Sequence, residues 1–468
     1  MRRLLCLIPA AIVVTACYDS AEPLGPEPEF APAVSEILLW SFVKIDVIDM
    51  GEGTANAIND AGVATGRYDG PNGPEVFTWT KAGGMQFPGV PGIAHDINNN
   101  GDIVGRSGAH AFLRWSYGPM SDLGTLAGGD SSAAFALNED RLVAGTSDAP
   151  LLPHGFRWSH PGPMYDLHLF NYTVHESSRA YGINGSGHIV GEARYTYWTD
   201  AFIWTPTNGI ALLPGAGGSE TKAFDINDAG IVVGTSTVAT QGTPFGPNFA
   251  VKWTPAGIQP LSGPGLTNTA LAINNNNYAV GVTDQTDATL WAPSAAPYAL
   301  GNLPGGGGSR AHDVNQHLEI VGSGRAADYT RHAVYWKVTF YYEVIGRLIP
   351  ILRPELPPYI RLGETGLLEI AVLSDRRFDA SQLDPSKFTL GDLRGDDLPV
   401  ARDGKNRPLS SRVDVDDDGD VDLVVRFDQL ALERSGELTA ETTRLIVSAD
   451  VGAGNGIYAP IAVQVIVR

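Results

Sequence analysis

Six carboxylates crowd into nine residues near the C-terminus, Asp414-Val415-Asp416-Asp417-Asp418-Gly419-Asp420-Val421-Asp422. Their spacing fits the first nine positions of a D-x-D-x-D-G-x-x-D calcium loop. In such a loop the side chains of Asp414, Asp416 and Asp418 converge on a hard cation, because Gly419 permits the sharp turn. Asp420 would offer its backbone carbonyl, and Asp422 would ligate directly or through water. The twelfth position is Val425, not the bidentate Glu of an EF-hand, so weak binding in the extracellular range is expected. The alternative is a solvated acidic hairpin, but so many aspartates repel one another without a cation. The expectation is one structural calcium ion.

A second constellation is the pair His95-Asp96 and His312-Asp313, which occupy matching places in a repeat described below. Two His-Asp pairs could build a metal or acid–base cluster. Ordinary hydrogen bonding within a degenerate repeat is the simpler account, since no third ligand is evident. No His-Glu-x-x-His, no Gly-x-Ser-x-Gly elbow and no phosphate loop occurs; Gly305 to Gly308 lacks the Lys-Ser/Thr that would hold a phosphate. Two cysteines can supply neither a four-ligand zinc site nor a disulfide framework. The residues therefore point to binding more than to catalysis.

The elements that must position these side chains come from an internal repeat. Its unit runs Ala-x-x-Ile-Asn-x-x-Gly-x-Val-Val-Gly, an aromatic strand ending in Trp, Asp-Leu-Gly-x-Leu, and a Gly/Ser loop. The Asn recurs as Asn59, Asn98, Asn138, Asn184, Asn227, Asn274 and Asn315. Seven residues after each stands Gly66, Gly105, Gly145, Gly191, Gly234, Gly281 or Gly322. Trp79, Trp115, Trp158, Trp204, Trp253, Trp291 and Trp336 close the strands that follow. Each unit reads as four short strands, with an Asx turn at the Asn and a positive-φ Gly three residues on. Arg141, Asn277 and Leu318 stand where other units have that Gly, so a different turn is expected there. The tryptophans read as core wedges.

Four strands in about 40 to 45 residues is the period of a propeller blade. After Trp336 no Asp-Leu-Gly-x-Leu strand follows, whereas an extra one, Val43 to Gly51, precedes the first unit. An N-terminal strand that completes the last blade would close the ring and remove two sheet edges. The expected fold is all-β: a seven-bladed β-propeller over residues 37–338, then a small β-sandwich domain over 355–468, joined by a linker at 339–354. The first strand of each blade should line a central channel. The blade-to-blade loops should carry the binding residues. The candidates there are Asp130, His175, Glu176, Glu220 and Arg310, with Ser131, Ser219 and Asn268; His95, Asp96, Asp225, His312 and Asp313 lie nearer the channel.

The triplet His110-Ala111-Phe112, degraded to His154-Gly155-Phe156, Asp200-Ala201-Phe202, Asn248-Phe249-Ala250 and His332-Ala333-Val334, resembles the HAF-type extracellular repeats of bacteria. The resemblance covers most of residues 55–338 and implies export and a repeat array, with no established activity. From about Thr339 the repeat stops. Ala371-Val372-Leu373-Ser374, Phe378-Asp379-Ala380 and Leu383-Asp384-Pro385-Ser386 are similar to small β-sandwich modules that end many secreted bacterial proteins. That implies an accessory domain.

Arg2 and Arg3, the apolar run Leu4 to Val14, and Val14-Thr15-Ala16-Cys17 resemble the signal and lipobox of bacterial lipoproteins. The resemblance implies cleavage after residue 16 and a lipid on Cys17. Residues 17–36 then form an acidic, Pro-rich tether, and several acyl chains give stable anchoring. The expected place is the bacterial cell envelope, on the outer membrane. Charged residues are scarce at 18%, and the net charge of −20 argues against a nucleic-acid partner. The expected function is a lipid-anchored binding protein that meets a glycan, peptide or protein partner. The alternative is an extracellular hydrolase or lyase acting on polysaccharide or peptide.

Overall fold

The computed structural model describes residues 40–468 apart from 151, 168–176, 240–244, 262–266, 285–286, 294–295, 344–347, 351–358, 364, 375–378, 392–396, 416–418, 453–454, 463 and 467–468. It is all-β and propeller-like. Each of the first six repeats forms a four-stranded antiparallel sheet whose strands follow chain order, as in Ile93–Ile97, Ile103–Ser107, His110–Arg114 and Met120–Gly124. A single parallel bridge between Thr199 and Glu220 joins the fourth and fifth sheets. In the seventh repeat, Gly307–Val314, Glu319–Arg325 and Arg331–Glu343 pair in order, and Trp40–Glu52 adds antiparallel along the last. The first strands of successive repeats pack side by side in a closed cycle, the seventh against the first.

The repeated Asn explains the cycle. Each side-chain amide donates to the backbone carbonyl of the next repeat's Asn. The chain runs Asn59 to Asn98 (3.1 Å), Asn98 to Asn138 (3.3 Å), Asn138 to Asn184 (3.0 Å) and Asn184 to Asn227 (3.1 Å). It continues from Asn227 to Asn274 (3.2 Å) and Asn274 to Asn315 (2.9 Å), and returns from Asn315 to Asn59 (3.0 Å). The same Asn caps its own turn through Oδ1, which accepts the N–H groups of Ser186 and His188 at Asn184, for example. All seven are buried, so a donor without its partner would cost about 1–3 kcal/mol.

The turns at Arg141, Asn277 and Leu318 do not differ from the rest, contrary to expectation. These residues take φ of 62°, 65° and 57°, beside 73° at Gly62 and 75° at Gly230. The capped turn and the amide ring together impose the left-handed backbone on whatever residue stands there. Compensating contacts accompany it: Leu318 is fully buried, and Arg141 pairs with Asp102 (2.6 Å) and lies over the Trp115 ring.

The second marker of the repeat, Gly, answers a close approach. At Gly234 a Cβ would overlap the carbonyl oxygen of Lys222 on the first strand, and the other six positions repeat this clash. Six of the repeat tryptophans are buried between sheets. Trp115 lies one place beyond the end of its strand and is only partly buried, because the second repeat carries an extra residue there.

Residues 339–343, expected as the start of a linker, instead continue the strand Arg331–Glu343. Phe340 to Glu343 pairs in parallel with Asn455 to Tyr458, so the last repeat's sheet runs on into the C-terminal region. Phe340 is fully buried in the repeat's core, which a linker residue would not be. In the C-terminal region a second sheet, with Leu367–Val372 and Asp422–Asp428 at its centre, shares one core with Phe388–Gly391 and Arg444–Gly452. Among the described residues no helix is long and apolar enough to cross a membrane.

Asn184→Ala should lower stability by about 2–3 kcal/mol in urea unfolding, through lost turn caps and the lost bond to Asn227. Asn184→Asp keeps the caps and turns the inter-repeat donor into an acid oxygen facing the Asn227 carbonyl, so it tests the ring junction as a whole. A loss of at least about 1 kcal/mol assigns that energy to the ring; an unchanged midpoint would remove the ring bond from the account.

Candidate functional site

Every pairing of first and second strand carries a bulge at the same place, just before the residue two positions ahead of the ring Asn. A bulge re-aims the side chains around it. Here the bulged residues are Asn56, His95, Phe135, Tyr181, Phe224, Leu271 and His312, and they form a collar around the centre of the cycle. His95 meets Phe135 at 5.1 Å between ring centres, and Phe135–Tyr181 and Tyr181–Phe224 follow at 5.5 Å each. Asn56 donates to the Ala94 carbonyl (2.7 Å), and His312 Nδ1 donates to the Ala55 carbonyl (2.9 Å).

The residue after the collar is Asp in the second, fifth and seventh repeats and Ala or Gly in the others. Asp96, Asp225 and Asp313 do the same work. Each takes the next N–H of its own strand on Oδ1 (Ile97 2.7 Å, Ile226 2.8 Å, Val314 2.7 Å). Each takes an N–H of the following repeat on Oδ2 (Leu137 2.7 Å, Ile273 2.8 Å, Ile58 2.8 Å). These carboxylates staple neighbouring bulges together. Burial pushes Asp96 up to about 7, helped by the charges of Asp313 and Asp225. Burial likewise raises Asp225 to about 7 and Asp313 to about 6. Burial lowers His95 to about 4 with help from Arg106, and lowers His312 to about 4 with help from Arg310 and Arg331.

A cavity of about 680 Å³ opens at the end of the seventh repeat opposite its Asn turn. Arg310 and His312 line it from the first strand, Arg325 from the second and Arg331 from the third. No ion pair joins these three arginines to a carboxylate among the described residues.

The expected loop residues disperse. Asp130 is exposed before the third repeat. Glu220 contacts Lys222, which also faces the buried Glu192 at 3.7 Å. Asn268 is buried, and Ser131 donates to Asp148 (2.7 Å). His175 and Glu176 lie outside the described residues. Arg325, Arg331 and Tyr329, on the hairpin after the second strand, were not among the sequence candidates. Their one signal in the sequence is the spacing of two arginines across a turn.

The His of the His-Ala-Phe triplet bonds the Asp of the fourth strand: His110 to Asp122 and His154 to Asp166, each at 2.9 Å. In the seventh repeat His332 takes Asp49 at 2.8 Å, from the N-terminal strand.

In the acidic segment, Asp422 is fully buried and accepts the N–H groups of Ser374 (2.7 Å) and Val415 (2.8 Å). Asp414 accepts from Gly419 N–H (3.0 Å) on Oδ2, while its Oδ1 is buried with no hydrogen-bond partner among the described residues. Gly419 has φ of 96°. Asp420 is half-buried; Asp416 and Asp418 lie outside the described residues. Among the described residues no three His, Cys, Asp or Glu side chains converge to hold a metal.

No family model and no curated protein matches this chain. A solved structure described as a "putative gluconolactonase" is similar at 11% identity and a TM-score of 0.32, over 56% of this chain and 93% of that one. That likeness is too low to say anything of this chain's chemistry.

The collar makes stability depend on pH in opposing ways. A carboxyl raised on folding takes up a proton, so Asp96, Asp225 and Asp313 favour the fold as pH falls from about 7 towards 4. A histidine lowered from 6.5 to about 4 gives one up, so His95 and His312 favour it as pH rises through that window. His95→Phe, which copies the collar's own Phe135, removes one opposing group. Relative to the parent chain it should gain about 1 kcal/mol or more on going from pH 8 to pH 5. Parallel pH profiles of Tm for the two chains would contradict this.

Proposed function

We propose that this chain is a lipid-anchored protein of the bacterial cell envelope that binds a partner molecule on one face of a seven-bladed β-propeller, with a β-sandwich domain behind it. The observation that carries the binding role is the cavity at the mouth of the seventh repeat. It opens where the first strand begins, and it is lined by side chains from three strands. Inner strands held by the amide ring and the aspartate staples make a rigid floor, which lowers the ordering cost of binding. The lipobox-like Val14-Thr15-Ala16-Cys17 supports export and anchoring.

The alternative, a hydrolase or lyase, needs a carboxylate free to move a proton or attack a sugar carbon. Asp96, Asp225 and Asp313 each commit both oxygens to backbone N–H groups, which favours recognition over turnover. A structural calcium ion in the acidic segment is supported by the unpartnered, buried Oδ1 of Asp414 beside the Gly419 turn. Asp414, Asp416 and Asp418 would hold it, with the Asp420 carbonyl and Asp422.

The binding role is tested by a glycan array with a Cys17→Ser chain that lacks the signal segment. Specific hits are expected, and an array without hits would turn attention to protein partners. Labelled fatty acid should enter the parent chain and not the Cys17→Ser variant. Added calcium should raise Tm by several degrees, roughly the effect of 1–2 kcal/mol, and Asp414→Asn should abolish that rise. A Tm indifferent to calcium in the parent chain would exclude the ion.

A further inference from the structure

We infer that the cavity of the seventh repeat binds an acidic sugar unit, its arginines taking the carboxylate or sulfate and Tyr329 meeting the sugar ring. This rests on the binding role proposed above and adds the chemical class of ligand.

The charge pattern carries the first half. The chain has 52 acidic and 32 basic residues, yet three guanidinium groups share one cavity with no ion pair to a carboxylate among the described residues. The basic residues at the position of Arg310 in two other repeats are neutralised. Arg179, at the position of Arg310 in the fourth repeat, bonds Glu192 at 2.8 Å; Lys222, at that position in the fifth, faces Glu192 and Glu220. In the seventh, Arg325 and Arg331 stand directly opposite each other across two antiparallel strands, an arrangement that costs stability. Arg310 adds a third charge on the same face, opposite Ser323. Burial and the charge of Arg331 both weaken Arg310's hold on its proton. An anion relieves this repulsion, and guanidinium forks suit the two oxygens of a carboxylate or sulfate.

The hairpin between the arginines carries the second half. Tyr329 is 81% exposed and holds φ of 66°, an uncommon backbone for a bulky residue. The turn is nonetheless pinned. Tyr329 N–H donates to the Ala326 carbonyl (3.0 Å), and Ala326 N–H to the Thr330 carbonyl (3.0 Å). Asp328 accepts from Thr330 N–H (3.0 Å), and His332 bonds Thr330 Oγ1 (3.0 Å) and Asp49 (2.8 Å). Of the carboxylates nearby, Asp328 and Asp49 thus face Thr330 and His332, not the arginines. With its backbone fixed in this way, the exposed ring offers an apolar face for which only side-chain freedom remains to be lost. His312 donates from Nδ1 to Ala55, so its neutral ring leaves Nε2 as an acceptor for a hydroxyl. Gly307 has open space over its α-carbon, and about 680 Å³ lies within the range of small-ligand sites.

Calorimetry on the full chain tests this with hexagalacturonate, a sulfated oligosaccharide, a neutral oligosaccharide of equal length, and hexaglutamate. Binding of one or both acidic sugars and not of the neutral one is expected; the two acidic arms tell carboxylate from sulfate. Arg310→Ala and Arg331→Ala should each weaken it at least about tenfold, and Tyr329→Ala about threefold or more. Arg407→Ala, which removes an arginine already paired with Asp403, should change nothing. The substituted arginines are exposed, so unchanged circular dichroism is expected of all variants, with a Tm in the arginine variants no lower than in the parent chain. Hexaglutamate bound as tightly as the sugar, with no effect of Tyr329→Ala, would overturn the inference in favour of an acidic peptide. Neutral glycans bound with equal affinity by the arginine variants would overturn it and leave the binding role standing. No binding of these probes together with an empty glycan array would count against both.

Discussion

A ring of seven side-chain amides, each donating to the next repeat's Asn carbonyl and closing from Asn315 back to Asn59, is the constraint from which the rest of the structure follows. One residue type serves two purposes there: Oδ1 caps the turn within a repeat, and Nδ2 ties that turn to its neighbour. Because the bonds are buried, none can be dropped without leaving a polar group unsatisfied. The turn backbone is therefore held in the left-handed region even at Arg141 and Leu318, whose side chains would not choose it.

Above that ring each first strand bulges, and the bulge makes functional variety possible. It turns one residue per repeat into a collar and presents the next to the following repeat. Where that next residue is Asp, its two oxygens satisfy N–H groups on both sides of the junction. Burial raises these carboxyls, while the collar histidines are pushed the other way. The fold thus places acids and bases of opposed behaviour in one narrow space, although among the described residues no three of them converge as metal ligands would.

Near-identical repeats acquire a distinct site by unequal decoration. The basic position on the first strand is neutralised in the fourth and fifth repeats by Glu192, and in the seventh it has no ion pair among the described residues. The seventh also differs in construction. Its fourth strand comes from the N-terminus, with Asp49 meeting His332 where Asp122 meets His110 and Asp166 meets His154. Its third strand runs on to pair with the C-terminal region. The repeat that carries the cavity is thus tied to both ends of the described chain.

The all-β class, the number of repeats, the four-strand unit and the role of Asn and Gly as markers were legible in the amino-acid sequence, because local turn chemistry and strand alternation depend on near neighbours. The pairing of Val43 to Gly51 with the last repeat was legible too, since an unpaired strand at each end calls for a partner. What the tertiary structure alone decided are contacts across large sequence separations. Asp313 bonds Ile58 N–H, a contact spanning most of the array. Neutral or charged surroundings for Arg179, Lys222 and Arg310 depend on which carboxylate the fold brings near, and composition does not encode that. Residues 339–343 look like a linker by the end of a repeat, yet become a shared strand because Asn455 to Tyr458 lies beside them. Periodicity is a property of the chain, whereas charge balance within a cavity is a property of its packing.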